Sequence, residues 1–260
     1  MLIVFDVGNT ETTIGLFDGQ ALVRSWRITT GVTRSHDEYG VLLRGLLHAS
    51  GIAPAAVAGA ALGSVVPPVT EPLTAACRAY LGVDPLIIDA RAPLPIRVQV
   101  DDPLTVGADR LINTLAASRL YGRDTICVDL GTATTFDCIT ADGVFIGGVI
   151  MPGVRSSAET LTRRTSMLPA TELTAPPRVI GTRTVDCIRS GVIFGAAGAI
   201  DGVVRRIKAE WPGPATPWVV ATGGLAAFLD PFCEEVDAVE PHLTLIGLRI
   251  AFELLGPSAS

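Results

Sequence analysis

The sequence predicts an α/β protein built of two related halves, and three observations carry that expectation. A short acidic loop occurs twice, as Asp6-Val7-Gly8-Asn9-Thr10 and as Asp129-Leu130-Gly131-Thr132-Ala133-Thr134-Thr135. Each copy ends an apolar run, Leu2 to Phe5 or Thr125 to Val128, and leads into a second apolar stretch. Each then reaches an Asp-Gly pair, Asp18-Gly19 or Asp142-Gly143, the strongest short signal for a hairpin turn. Both copies therefore read as strand, polar loop, strand, turn. A chain of 260 residues can bury two cores, and the repeat divides it into 1–118 and 119–260.

In the first half, Ala21 to Thr29 alternates as a third strand, and Ser35-His36-Asp37-Glu38 is a capping box. The helix it opens has Tyr39, Leu42, Leu43, Leu46 and Leu47 on one face and closes at Gly51. Strand, helix and strand follow through 61–66, 70–81 and 85–89. Gly107-Ala108-Asp109-Arg110 opens a helix whose Leu111, Ile112, Leu115 and Leu120 share a face. The second half repeats the three-strand start to Ile150, then predicts a helix over 155–167 and a polar loop to about 182. A long helix over 184–211, strands at 218–221 and 236–239 and an amphipathic helix over 243–255 complete it. Between the last two strands, Thr222-Gly223-Gly224 allows close approach of backbone to a flat ligand.

Net charge is −6 and pI about 5.1, with acids and bases interspersed, so there is no electrostatic footprint for nucleic acid or an anionic membrane. The five cysteines form no CxxC pair, which is a reduced, cytoplasmic pattern without a disulfide framework or zinc site. The N-terminus begins directly with a strand and carries no signal-peptide pattern. The uncharged stretch 52–69 is broken by glycines and prolines and reads as a buried strand with its flanks. Of 20 basic residues only Lys208 is a lysine. It follows Arg205 and Arg206 on what reads as a solvated helix face. A kinase with a dedicated phosphate-loop lysine is therefore disfavoured.

The repeated loop suits a metal-bound polyphosphate held between two halves, which points to a phosphotransferase. Asp6 would orient hydrated Mg²⁺, while Gly8, Asn9, Thr10 and Thr12 offer backbone and hydroxyl donors to phosphate. Taken alone, Asp6 reads equally as an Asx-turn carboxylate. Around Asp129, the hydroxyls of Thr132, Thr134 and Thr135 form an oxygen-only set for a hard cation. Asp109 sits in a first helical turn, where the macrodipole favours an acid regardless of function. It also suits a proton acceptor, because phosphoryl transfer demands positioning more than strong basicity. Thr184 reads as a helix N-cap, with Asp186 in the first turn.

Together, in this order, the two acidic loops, Gly107 to Arg110, Gly147-Gly148-Val149-Ile150 with Pro152-Gly153, and Thr222-Gly223-Gly224 resemble the type III pantothenate kinases of bacteria, over about residues 2 to 252. The resemblance implies two ribonuclease-H-like domains of the actin-like ATPase superfamily, which includes sugar kinases, Hsp70 and actin. It implies a homodimer that phosphorylates pantothenate in the first step of coenzyme A synthesis. Asp6, Val7, Gly8, Asn9, Thr10, Glu11, Thr12 and Thr13 would hold ATP, with Thr132 as a further contact. Gly107, Ala108, Asp109 and Arg110 would meet pantothenate, with Asp109 as proton acceptor and Arg110 on the carboxylate. Asp129 would bind a monovalent cation, K⁺ or NH4⁺, and Thr184 would contact pantothenate across the dimer.

The sequence departs from the family pattern at Val100, where many members have tyrosine, and at Thr182 and Arg183, where many have lysine and asparagine. Glu11 adds a negative charge beside the phosphate loop. These departures bear on substrate affinity. They motivate an alternative expectation, a catalytically weak nucleotide-binding regulator of the same fold.

Overall fold

The first acidic loop joins β1 (Leu2–Val7) to β2 (Glu11–Asp18), and the turn at Asp18-Gly19, with Gly19 at φ +56°, carries the chain into β3 (Ala21–Thr29). The computed structural model describes residues 1–256, which form two units: 1–120 with 243–256, and 121–242. In the first unit α1 (His36–Ala49) starts at the expected capping box. Glu38 N–H donates to Ser35 Oγ at 3.3 Å, and Ser35 N–H donates to Glu38 Oε2 at 2.7 Å. Then come β4 (Gly59–Ser64), α2 (Pro67–Ala76) with a wider turn at 77–81, β5 (Pro85–Ile88), the two-residue β6 (Arg97–Val98) and α3 (Ala108–Tyr121). Pro67 lets α2 begin three residues before the predicted start, since proline at the first helical position loses no intrahelical bond.

The strands of this unit run β3-β2-β1-β4-β5, with β2 antiparallel to both its neighbours and β4 parallel to β1 and β5. One face buries Ile3, Phe5, Val7, Ile14, Leu16 and Leu62 with Tyr39, Leu43 and Leu47 of α1 and Leu73 of α2. The opposite face is lined by small residues, and helices come close there. A Cβ at Gly63 would stand 2.4 Å from Ile112 Cδ1 of α3, and one at Gly59 would stand 2.4 Å from the Phe252 ring. Phe252 belongs to the last helix, α7 (Leu243–Leu255), which packs on β1 and β4.

That placement corrects the contiguous division at 118/119. The boundary near α3 is close, but α7 belongs with the first unit, because the β1 and β4 face needs its Leu245, Leu248 and Phe252. Leu120 is also displaced from expectation: it lies 45% exposed, whereas Leu111, Ile112 and Leu115 are buried.

The second unit contains β7 (Thr125–Leu130), β8 (Ala133–Ile139), β9 (Val144–Pro152), α4 (Val154–Arg164), α5 (Thr184–Glu210), β10 (Trp218–Thr222), α6 (Ala226–Leu229) and β11 (Ala238–Val239). Its strands follow β11-β10-β7-β8-β9. Three antiparallel strands with a parallel strand beside the first is the pairing of the first unit again.

Among the described residues α5 alone is long and apolar enough to cross a membrane. Here it is a core helix: Ile188, Val192, Ile193, Ile200 and Val204 are buried with Ile126, Val128, Phe136 and Val219 of the sheet. Its other stripe is polar. Asp201 accepts from the backbone N–H groups of Glu234 and Glu235, Arg205 pairs with both side chains, and Lys208 pairs with Glu235 at 2.8 Å. Lys208 is thus a part-buried clamp, not the solvated charge expected.

Candidate active site

In the first unit, Asp6 alternates with Val4, so its side chain leaves the sheet away from the α1/α2 core and on the face that α3 covers. It is half-buried, at the carboxyl end of β1 beside Gly63. Asn9, Thr10 and Glu11 are exposed at the loop tip, and Gly8 N–H donates to Glu11 C=O at 3.1 Å, which closes a tight turn. Val7 is buried in the core and offers the loop only its backbone. Its carbonyl accepts from Val65 N–H at 3.1 Å, which ties the loop to the segment after β4.

Thr12 and Thr13, both expected at the phosphates, face opposite sides of the sheet. Thr12 lies opposite Val7, faces the core and is fully buried, with Oγ1 2.8 Å from Thr30 Oγ1. Its hydroxyl therefore supports the loop from behind. Thr13 lies opposite Asp6, shares its face and is half-buried.

Gly107 and Asp109 stand at the start of α3. A Cβ at residue 107 would approach Asp109 Oδ1 to 2.5 Å and Val65 Cγ1 to 3.5 Å, so the glycine leaves room for the carboxylate. Asp109 Oδ1 accepts from the Arg110 N–H at 2.9 Å. Oδ2 carries no hydrogen bond among the described residues. The carboxylate is oriented by its own helix and keeps one oxygen as an acceptor. Ala108 is buried; Arg110 is half-buried and has interactions of its own. Asp6 lies on the sheet face that α3 covers through Ile112, and the start of α3 is linked to the acidic loop through Gly107, Val65 and Val7.

In the second unit Asp129 holds the position in β7 that Asp6 holds in β1. It pairs with Thr135 of β8 and Thr222 of β10. Val128 and Leu130 face the helical core, so Asp129 points to the other face with Cys127, Thr135 and Thr222. The fully buried Asp137, opposite Cys127, shares that face. Asp137 was not foreseen, although an acid inside the apolar run 136–139 is a readable signal. Carboxylate, threonine hydroxyls and backbone carbonyls make an oxygen donor set that fits a hard cation.

The Thr132 loop is held from below. Gly153 N–H and Ser156 Oγ both donate to Thr132 C=O, at 3.2 and 2.8 Å, and a Cβ at residue 153 would lie 2.3 Å from that oxygen. Gly223 is at φ +88°, and a Cβ there would lie 2.4 Å from Asp129 Oδ1. Thr222-Gly223-Gly224 therefore packs directly against the acidic loop. Gly131 has ordinary contact distances and is not sterically required.

Thr184 is the first residue of α5 and not its cap. Arg183 holds the cap position and makes no side-chain cap bond. A surface cavity of about 650 Å³, lined by Arg44, His48, Ile52 and Pro54, lies where α1 ends. The chain there leads into the amino end of β4, the edge of the sheet opposite Asp6, so it belongs to a different place from the acidic loop.

Solved structures share this architecture at low identity. A polyphosphate/ATP-glucomannokinase from Arthrobacter superposes with a TM-score of 0.53 at 15% identity, covering 97% of this chain and 98% of that one. A ROK hexokinase from Thermus thermophilus gives 0.51 at 14%, with the same coverages. A Campylobacter jejuni chain provisionally described as a Baf family transcriptional activator gives 0.61 at 16%, covering 97% and 98%. The chain thus shares the fold of these kinases, with an acidic residue at the same place in the first strand of each unit. The family model described as type III pantothenate kinase matches residues 2–206. Relatives of that description from Roseiflexus castenholzii and Moorella thermoacetica are 48% and 42% identical, over 98% and 97% of this chain and 99% of each relative. The chain belongs to the type III pantothenate kinase family.

Proposed function

We infer that this chain transfers the terminal phosphoryl group of ATP to the hydroxyl of pantothenate, forming 4′-phosphopantothenate at the start of coenzyme A synthesis. The observation that carries the reading is Asp109 at the start of α3, with Oδ1 steadied by the Arg110 N–H and Oδ2 left as an acceptor, on the helix whose Ile112 covers Gly63 beside Asp6.

The transition state of phosphoryl transfer is loose, so the protein's task is positioning and charge stabilisation. Backbone N–H groups of Asn9 and Thr10 and the hydroxyls of Thr10 and Thr13 receive the phosphates, on a loop that the Gly8 N–H bond to Glu11 C=O holds closed. Asp6 would hold Mg²⁺, and the ion when bound would neutralise phosphate charge. Arg110 orients the pantothenate carboxylate. Asp109 Oδ2 accepts the hydroxyl proton, while Oδ1 is steadied by the Arg110 N–H. In the second unit Thr132 would contact ATP, and Asp129 would hold a monovalent cation.

The reading includes a cytoplasmic homodimer in which Thr184 meets the pantothenate of the other copy. Four large apolar side chains of the second unit, Ile150, Met167, Val179 and Ile180, are exposed and support a self-association surface. Light scattering of the purified chain should give twice the 27.1 kDa chain mass.

Incubation with ATP, Mg²⁺, K⁺ and pantothenate should yield ADP and phosphopantothenate in equal amounts. ATP binding without product at any pantothenate concentration would replace this reading with the nucleotide-binding regulator. Phosphate release without an acceptor would make it a phosphatase.

A further inference from the structure

Thr222 ends β10, and its hydroxyl is fully buried without a hydrogen-bond partner. A hydroxyl withdrawn from water and left unpaired opposes folding, and a valine would fill nearly the same space in a strand without that penalty. The surroundings supply a reason for threonine. Thr222 lies opposite Asp129 in the parallel register of β10 and β7. Val219 and Ala221 face the helical core, so Val220 and Thr222 alternate to the other face, where Asp129 points. The next residue, Gly223, comes so close to Asp129 Oδ1 that no Cβ fits between them. Asp129 is half-buried, and Thr222 lies deeper beside it.

We propose that Thr222 is a positioning residue for the Asp129 cation site, its hydroxyl being the donor held for the Asp129 carboxylate when that carboxylate turns to take a monovalent cation. The proposal rests on the reading of Asp129 as a cation ligand. With one carboxylate oxygen accepting from Thr222 Oγ1, the other is aimed at the ion, as hydrogen-bonded outer groups orient metal-ligating carboxylates elsewhere. No proton changes owner.

Two variants of the full chain test this, Thr222→Val and Thr222→Ser, each read by thermal unfolding and by ADP formation across a KCl series made up to constant ionic strength with choline chloride. Without potassium, Thr222→Val should unfold at or above the wild-type temperature, because a methyl replaces an unpaired hydroxyl. It should nevertheless need ~10-fold more KCl or beyond for the same thermal shift and for half-maximal rate. Thr222→Ser should keep the wild-type KCl response. Stability and ion response moving in opposite directions is a pattern that a structural role does not produce.

The proposal is overturned if Thr222→Val keeps the wild-type KCl response, or if it fails to fold or melts lower without potassium, since the hydroxyl would then be serving the fold. A wild-type response that disappears in Asp129→Asn but survives in Thr222→Val removes this proposal alone. A wild-type chain indifferent to both KCl and NH4Cl removes the cation reading of Asp129 and this proposal with it.

Discussion

The hydroxyls of Thr12 and Thr30 stand 2.8 Å apart in the interior of the first unit, directly behind the first acidic loop. Thr30 also donates its backbone N–H to Thr10 C=O at 2.9 Å, so one residue fixes both the base and the tip of the loop's return. Thr30→Val should leave the Thr12 hydroxyl buried and unpaired and destabilise the protein by about 1–3 kcal/mol. Thr12→Val with Thr30→Val should recover most of that loss, since removing both partners together is nearly neutral. Urea unfolding of the two variants and the wild type checks it; a double variant less stable than Thr30→Val would contradict the account.

Asp109 gives one oxygen to the Arg110 N–H of its own helix, and the proposed mechanism uses the other as the proton acceptor. Asp109→Asn keeps the shape but loses the proton acceptor, and turnover should fall by at least ~10²-fold with the KM for ATP little changed. Steady-state kinetics decide this. Unchanged turnover would remove Asp109 from the chemistry and leave its role as a helix-start acid.

Gly153 meets the Thr132 carbonyl where a methyl cannot fit. Gly153→Ala should push the 131–132 backbone outward, lower stability by ~1–3 kcal/mol and raise the KM for ATP more than that for pantothenate. Gly131→Ala at the same loop has ordinary van der Waals room and should be milder. Equal effects of the two would mean that Gly153 is not what holds the loop.

The clamp on α5 has an acid limit. A hydrogen bond from Lys208, then one from Arg205, holds the Glu235 carboxyl below its usual value of 4.5. A carboxyl whose folded value lies below its unfolded one stabilises fully above the unfolded value and loses that contribution as pH falls through the folded one. Lys208→Met should therefore cost about 1 kcal/mol at neutral pH, and the difference from wild type should shrink below pH 4.5. Unfolding midpoints at both pH values test the sign.

Cys233 is pushed up to about 12 by burial, with Asp201 and Asp230 adding to the shift, and Cys77 is pushed up to about 12 by burial, with Asp84 adding. Neither thiol forms the reactive thiolate at neutral pH. Cys187 is exposed. Mass spectrometry after brief alkylation of the native protein should find Cys187 modified first and Cys77 and Cys233 spared until unfolding.

The local signals are legible in the sequence because their chemistry is complete within a few residues. Ser35 and Glu38 make both bonds of a capping box, and the Asp-Gly pairs make their turns, without help from elsewhere. The acidic strand ends were legible for the same reason. What escaped depends on partners distant in the chain. Thr12 looks like any loop hydroxyl until Thr30 is seen against it, 18 residues on. Thr222 gains meaning only through its register with Asp129, and Gly153 only through the Thr132 carbonyl. The helix over 243–255 was foreseen with its correct bounds, but periodicity names a buried face and not the surface that buries it.

That helix also sets a timetable for synthesis. The face of β1 and β4 that α7 covers is made in the first quarter of the chain, whereas α7 leaves the ribosome only after residue 242. Until then Gly59, Ala61 and Gly63 present a shallow trough with nothing from α7 to fill it. The second unit, contiguous from 121 to 242, can close its own core first, against the usual amino-terminal-first order of folding.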